Sequence, residues 1–489
     1  MTGAVATGHP DATRIGLDVL GAGGSAADAA VAAAFALFVL MPEACGLGGD
    51  AFALVATPSD TLAYNGSGDA PAEWLDSLHV TGAATATVPG AVAALSDMHA
   101  RHGRRDWEHL LAPSIELAVA GMTVSPTLRR ALEQRSDLLD ATAREWPVRR
   151  ATASADTVAQ PELAIALTSI ATEGPAVFYD GWIAAELVAS ARLGGAALAR
   201  EDLARHATHV SDPVSITLGE WTIEVQPPVS QAALIPFALS ALRQAGEGGR
   251  FGDGDVPREH LIAEALEEGF TWRPLLHDLS AVKLLPWDWT PPAQSARRLP
   301  GARGTAHTTS VCTVDSDGMV VSLLVSVFHE FGSGYLVPRL GIFLNDRMLA
   351  FRDTQDPRAA RPVHTLSPAL ARTRKSCVGL ATPGADAQVQ VLTQVLDAAI
   401  HRGLDWQSAL SLPRWRLDNR CLLVEEDMSP AVAERLRAWG HDVRPVPIRD
   451  HAMGAVTIAG WARTSPQSEL SCFSFADGRR GNSASRIPP

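Results

Sequence analysis

Cysteine is scarce: Cys45, Cys312, Cys377, Cys421 and Cys472 are the only five among 489 residues. The number is odd and no pair has CxxC spacing, so neither a disulfide framework nor a thiolate zinc site is indicated. Basic clusters interleaved with aromatics are missing too, and the formal net charge is −13, which argues against a nucleic-acid partner. No apolar run is long enough to span a bilayer. The longest, Ala29 to Met41, is bounded by Asp28 and by Pro42-Glu43, and reads as a buried helix. The opening, MTGAVATGHPDATRIG, has neither a basic n-region nor an early apolar stretch, so a cytoplasmic protein without membrane attachment is expected. Internal repeats and low-complexity segments are absent.

Apolar residues make up 46% of the chain and charged residues 19%, the balance of a well-buried protein. The length exceeds one ordinary core, so two lobes or one large layered unit are expected. Asp11 to Leu20 has helical periodicity, Gly21, Gly23 and Gly24 interrupt it, and Ser25 can cap an alanine-rich helix. GLGGDAFALV, Gly46 to Val55, reads as a glycine turn entering a strand. The glycine clusters do not make a nucleotide site, because GAGGSAAD follows a helix rather than a strand. Close approach of helix to helix or helix to strand is the better use for them. Helices are expected at Asp106 to Val124, Glu162 to Thr172, Gly181 to Arg192, Glu259 to Phe270, Gln388 to Arg402 and Pro430 to Trp439. Thr208 to Pro228 reads as two strands joined at Leu218-Gly219, Ala245 to Pro257 as a loop, and Pro286 to Gly304 as an exposed linker. A strand hairpin, Thr308 to Phe328, follows, and FGSGYLVPRLGIFLN continues with glycine turns and another strand. Strands between helical layers imply an α/β sandwich.

The hairpin opens with two adjacent threonines, in GTAHTTSVCTVDSDG. Threonine suits strands, and that alone would explain them. A second explanation is a chain cut that turns one threonine into a nucleophile. A hydroxyl is a poor nucleophile and needs an adjacent base. A free α-amino group, with an ordinary pKa of about 7.7–8.0, is partly neutral near pH 7 and can take the hydroxyl proton. Such a site needs no histidine, metal or other cofactor.

The flanking motifs decide between the two. GHPDATRIGLDVLGAGGSAADAAVAAAFAL, ACGLGGDAF, TVPGAVAAL, LLAPSIELAVAGMTVSP, EGPAVFYDGWIAAELV, LAREDLARHATHVSDPVS, TTSVCTVDSDGMVVSL, FGSGYLVP and GIFLNDRM occur in that order. In this combination the chain resembles the γ-glutamyltransferase family of N-terminal-nucleophile hydrolases, from about Thr7 to the helix near Trp439. The resemblance implies an αββα four-layer sandwich of α/β (α+β) class. It also implies an inactive precursor cut between His307 and Thr308. Residues 1–307 would form a large subunit and residues 308–489 a small one headed by Thr308, the two staying associated as one intertwined catalytic unit. A homodimer of such heterodimers is left open.

By the same resemblance Ser326, eighteen residues after Thr308, matches a threonine that hydrogen-bonds the nucleophile. TPGAD, Thr382 to Asp386, matches a Pro-Gly-Gly oxyanion loop, with Gly384 and Ala385 as backbone donors. Alanine in place of the second glycine keeps the N–H but must suit the backbone angle there.

The departures from the family concern the substrate. Ser67, in NGSGDAP, stands where the family's arginine holds a glutamyl carboxylate, and a serine cannot supply that charge. In NDRMLAF, Ala350 replaces the aspartate that holds the α-ammonium, and Arg347 replaces a glutamine. His364 and Thr365 replace two carboxylate-binding serines, and Phe328 replaces an asparagine. The old ammonium anchor is gone and a new positive charge has come. These changes point away from a γ-glutamyl donor and toward a small amide bearing a carboxylate but no α-amino group, of oxalyl type. The segment between Phe351 and His364 is short, which implies a lidless site where hydrolysis competes with acyl transfer. The alternatives are a genuine γ-glutamyltransferase acting on glutathione and an unprocessed, non-catalytic binding paralogue.

Overall fold

Thr308 enters the fold in a strand, His307–Val314, every residue of which is buried. This strand is third of seven in an antiparallel sheet. The spatial order is Ser483–Ile487, Gly3–Thr7, His307–Val314, Val320–Phe328, Asp50–Ala56, Thr61–Asn65 and His209–Ser211. A second antiparallel sheet has the order Ser471–Ala476, Thr457–Ala462, Ser376–Ala381, Ala369–Thr373, Trp221–Val225 and Val214–Leu218. The computed structural model describes residues 2–73, 82–139, 141–150, 157–247, 257–289, 307–353, 361–419, 421–465 and 468–487.

Side-chain alternation shows the layers directly. Along the Thr308 strand Val311 packs into the core beneath the N-terminal helices, whereas Cys312 and Val314 join Phe52, Leu54, Leu324, Leu370 and Trp461 between the two sheets. Helices Pro10–Gly21, Ala26–Leu40, Trp107–Ala120 and Pro161–Glu173 cover the outer face of the first sheet. Helices Leu234–Glu247, Arg258–Trp272 and Ala387–Ile400 cover the second. The result is the expected αββα order. Strands covered on both faces read as continuous apolar runs, which is the pattern of VVSLLVSVF. Strands from either side of His307 occur in both sheets.

Local signals act as expected at the first two helices. His9 caps Pro10–Gly21, and Ser25 with Asp28 forms a capping box on Ala26–Leu40, all of whose residues are buried. Three expectations change. The helix begun at Trp107 stops at Ala120, because Gly121 takes φ 100° and Met122–Thr123 pairs with Thr157–Val158. Thr208 to Pro228 contains three strands: His209–Ser211 joins the first sheet and the Val214–Leu218/Trp221–Val225 hairpin joins the second. Asp212-Pro213 separates them, and proline has no N–H with which to continue a ladder. The strand after FGSG is two short ones, Leu336–Val337 and Ile342–Phe343, paired with each other. Of the loop at Ala245 to Pro257, residues 245–247 are helical and 248–256 lie outside the described residues. The linker from Pro286 lies outside them from 290 onward, as does 354–360 of the short segment between Phe351 and His364. Among the described residues, no helix is long and apolar enough to cross a membrane.

Candidate active site

At the start of its strand Thr308 is buried, on the face turned toward the second sheet. Its hydroxyl donates to Ser326 Oγ at 3.0 Å. Ser326 in turn donates to the carbonyl oxygen of His307 at 3.0 Å and accepts the Phe328 N–H at 2.9 Å. One serine hydroxyl thus receives from the expected nucleophile and gives to the carbonyl immediately preceding it. The strand pairing is shifted between Val325 and Phe328. This bulge turns Phe328 back onto Ser326, and Phe328 takes φ 82°, a conformation that costs a bulky residue energy.

The GLGG turn explains how Ser326 is held. Ser326 lies opposite Asp50 in the neighbouring strand. A methyl group at Gly49 would stand 2.4 Å from the Ser326 carbonyl oxygen, and one at Gly48 would stand 2.1 Å from that of Phe343. These glycines therefore serve close backbone approach, but of a turn to two strands rather than of a helix.

The Thr382–Ala385 turn continues the strand Ser376–Ala381 in the sheet that faces Thr308. Ser322 Oγ donates to Leu380 O at 2.7 Å. Thr457 Oγ1 bridges Ala381 O and Ser310 Oγ, at 3.4 and 3.0 Å. The two sheets therefore advance together, and the turn is carried toward Thr308. Gly384 has φ 128° and Ala385 φ 51°, so alanine occupies a left-handed conformation that favours glycine. The carbonyl of Ala385 accepts from Gln388 N at 3.0 Å and Gln231 Nε2 at 3.4 Å. Among the described residues, no acceptor meets the N–H of Gly384 or Ala385.

Arg347 is fully buried, stacked at 3.8 Å on the Phe328 ring. Its Nη2 lies 3.3 Å from His364 Nδ1 and its Nε 3.9 Å from Asp50 Oδ2. His364 Nδ1 also accepts Leu366 N–H at 3.1 Å, so the proton sits on Nε2 and is donated to Asp50 Oδ2 at 3.0 Å. Burial, with Arg347 beside it, keeps His364 neutral. Burial pushes Asp50 up to about 7 while Arg347 opposes, and burial lowers Arg347 to about 10 against the pull of Asp50. Nε and Nη1 of Arg347 have no hydrogen-bond partner among the described residues, nor has Thr365 Oγ1. Ser67 is buried too, but both its hydroxyl and its N–H go to Asn65 Oδ1, at 2.7 and 2.9 Å.

Several groups around this site had no signal in the sequence. Asp50 hides in the glycine turn. His329 is paired with Asp346 at 2.6 Å, and Glu330 reaches His307. Glu43 is buried with no hydrogen-bond partner for either carboxyl oxygen among the described residues, while its backbone carbonyl accepts from Phe331 N at 3.0 Å. Burial pushes its pKa from 4.5 up to about 8, with Glu330 adding to the rise. The folded chain therefore keeps a proton that the unfolded chain releases above 4.5, so stability falls as pH rises from there to about 8. Glu43→Gln is expected to remove this slope and to stabilise the protein at about pH 8.5 by an amount on the order of a few kcal/mol. Melting curves of both proteins at about pH 5.5 and about pH 8.5 test it; an unchanged gap between the two pH values contradicts it.

One group of three could meet a cation among the described residues, His260, Glu264 and His441. It lies on the outer helical layer of the second sheet, where the two imidazoles already share a 2.8 Å hydrogen bond. The five cysteines are all unpaired.

Comparison with known proteins agrees with this architecture. The gamma-glutamyltranspeptidase family model matches residues 12–487, well past Trp439 and into the edge strand Ser483–Ile487 of the first sheet. An oxamate amidohydrolase proenzyme of Klebsiella pneumoniae subsp. pneumoniae is 30% identical over 491 residues, covering 91% of this chain and 92% of the relative. A glutathione hydrolase-like proenzyme of Bacillus subtilis is 28% identical over 498 residues, covering 92% and 93%. The crystal structure of cephalosporin acylase from Bacillus halodurans superposes with TM-score 0.86 at 28% identity, covering 99% of this chain and 95% of that one. These three relatives carry three different activity names. The chain is an enzyme and belongs to the gamma-glutamyltranspeptidase family.

Proposed function

We propose that the chain is a precursor that cuts itself between His307 and Thr308, and that the exposed threonine then transfers acyl groups from small amides to water or an amine. The observation that carries this reading is the hydroxyl relay from Thr308 through Ser326 to the His307 carbonyl. In the cut, Thr308 Oγ bonds to the His307 carbonyl carbon, the C–N bond breaks, and the proton ends on the new α-amino group. Ser326 donates to the oxygen on which charge develops. Water then splits the ester, giving a large chain that ends at His307 and a small one that begins at Thr308. In turnover the α-amino group takes the hydroxyl proton while Oγ attacks the acyl carbon, and it returns the proton to the leaving amine. Gly384 and Ala385 offer their N–H groups to the oxyanion. The proenzyme relatives support the processing step. Because both sheets draw strands from both sides of His307, the two chains would stay joined through one core.

The donor is read as a compact amide carrying a carboxylate and no α-amino group. Arg347 is the support: it keeps its charge near pH 7 and holds two buried nitrogens, Nε and Nη1, without hydrogen-bond partners among the described residues. A charge-assisted hydrogen bond is worth about 1.5–3 kcal/mol. Arg347→Ala is therefore expected to lower kcat/KM on carboxylate-bearing amides by about ten- to a hundredfold, with little change on neutral acyl donors. The experiment is a screen of processed enzyme against oxamate, γ-glutamyl anilide and neutral acyl amides. A γ-glutamyl donor turned over as efficiently as any other would overturn the substrate reading, and no turnover of any amide would favour a binding paralogue.

A further inference from the structure

The residue before the cut is held as firmly as the residue after it. His307 is buried, and strand alternation turns its side chain away from the face that carries the Thr308 hydroxyl. The imidazole therefore does not act as the base for Thr308. Its Nε2 lies 2.7 Å from Glu330 Oε1, and its ring stacks on His451 with centroids 4.9 Å apart and planes 28° from parallel. Glu330 Oε1 is the nearest polar neighbour of Nε2 and is an acceptor, so Nε2 carries the proton and donates it there, while Arg130 Nη2 stands 3.2 Å from the same nitrogen without donating to it. Arg130, from the helix Pro126–Gln134, places Nη2 3.2 Å from the same Glu330 oxygen and 3.0 Å from His451 Nε2. Arg480 donates to the His451 carbonyl at 2.7 Å and holds that turn in place.

We propose that Arg130, Glu330 and His451 clamp the His307 imidazole so that the scissile carbonyl is presented to Thr308, and that this clamp serves self-cleavage and not turnover. The inference rests on the processing reading above. The His307 carbonyl is gripped from the other side by Ser326 at 3.0 Å. With ring and carbonyl both fixed, rotation about the intervening bonds is blocked, and the carbonyl carbon stays within reach of Thr308 Oγ. An apolar side chain would fill the same space, but it would not fix the ring's rotation as a directed, charge-assisted contact does. Once the bond is cut, His307 ends the large chain and takes no part in the acyl cycle. Glu330 and Arg130 are positioning residues: they act on the reaction only through His307.

The test follows pulse-labelled precursor on denaturing gels for wild type, Glu330→Ala, Glu330→Gln and Arg130→Gln. Each matured fraction is then assayed for kcat/KM and its Tm measured. Glu330→Ala is expected to slow cutting at least about tenfold, since a misplacement on the order of 1 Å can cost a hundredfold. Glu330→Gln keeps an oxygen for the imidazole N–H and is expected to recover most of the rate. The matured fractions are expected to match wild-type kcat/KM. Arg130→Gln serves if Glu330→Ala does not fold, and is expected to slow cutting in the same way. Wild-type cutting rates in the alanine variant, or equal losses of cutting, kcat/KM and Tm, overturn the clamp. A wild-type chain that is never cut at His307–Thr308 overturns the processing reading, and the clamp with it.

Discussion

Thr308→Ala should be recovered as a single uncut chain of 489 residues with no measurable turnover. Two functions are lost together. Without Oγ nothing attacks the His307 carbonyl, and without the cut no α-amino group is freed to serve as base. Removing a nucleophile from a group of residues that act as a unit costs at least about 10⁴-fold in rate. Folding should survive, because the change deletes one hydroxyl and one methyl at a site where Ser326 keeps its other two partners, His307 O and Phe328 N–H. Thr308→Ser keeps the hydroxyl and should still be cut, more slowly. A denaturing gel and an acyl-donor assay on the three proteins decide the matter. A two-chain pattern from the alanine variant would mean that another residue performs the attack.

Gly49→Ala should impair both cutting and turnover although the residue has no chemistry of its own. The added methyl meets the Ser326 carbonyl oxygen at 2.4 Å and its carbonyl carbon at 2.9 Å, both backbone atoms in the middle of a sheet. Something must move, and the neighbour with least support is the bulge that carries Ser326. Overpacking of this kind costs about 1–3 kcal/mol of stability. The larger effect is positional: shifting Ser326 on the order of 1 Å from Thr308 should slow both cutting and turnover about a hundredfold. Rates of precursor conversion and kcat/KM, with Tm as a check on folding, measure this. Wild-type conversion in Gly49→Ala would show that the turn does not set the position of Ser326.

Much of this fold was legible because its signals are local. Ser25 caps the alanine-rich helix through an N–H three residues away, within one short window of sequence. The pairing of Thr308 with Ser326 also lies within one hairpin, eighteen residues apart. What stayed hidden depends on distant partners. Arg130 and His307 are separated by 177 positions, and Arg130 and His451 by 321, so no window of sequence contains the clamp. Nor does the strand VVSLLVSVF announce that its last residue takes a positive φ; the bulge that demands it is created by pairing across the sheet. Asp50 read as part of a glycine turn, and only the strand register sets it beside Ser326 and within reach of Arg347 and His364. The resemblance read from motifs also stopped near Trp439, because the edge strand Ser483–Ile487 has no motif, only a place beside Gly3–Thr7.

Everything proposed for this chain depends on Thr308 becoming an N-terminus. N-terminal sequencing of the purified wild-type protein, with intact masses of its chains, tests it most directly. Two chains are expected, one ending at His307 and one whose first residues read Thr-Thr-Ser-Val. A single mass for the whole chain, or a small chain beginning at any other residue, would contradict it.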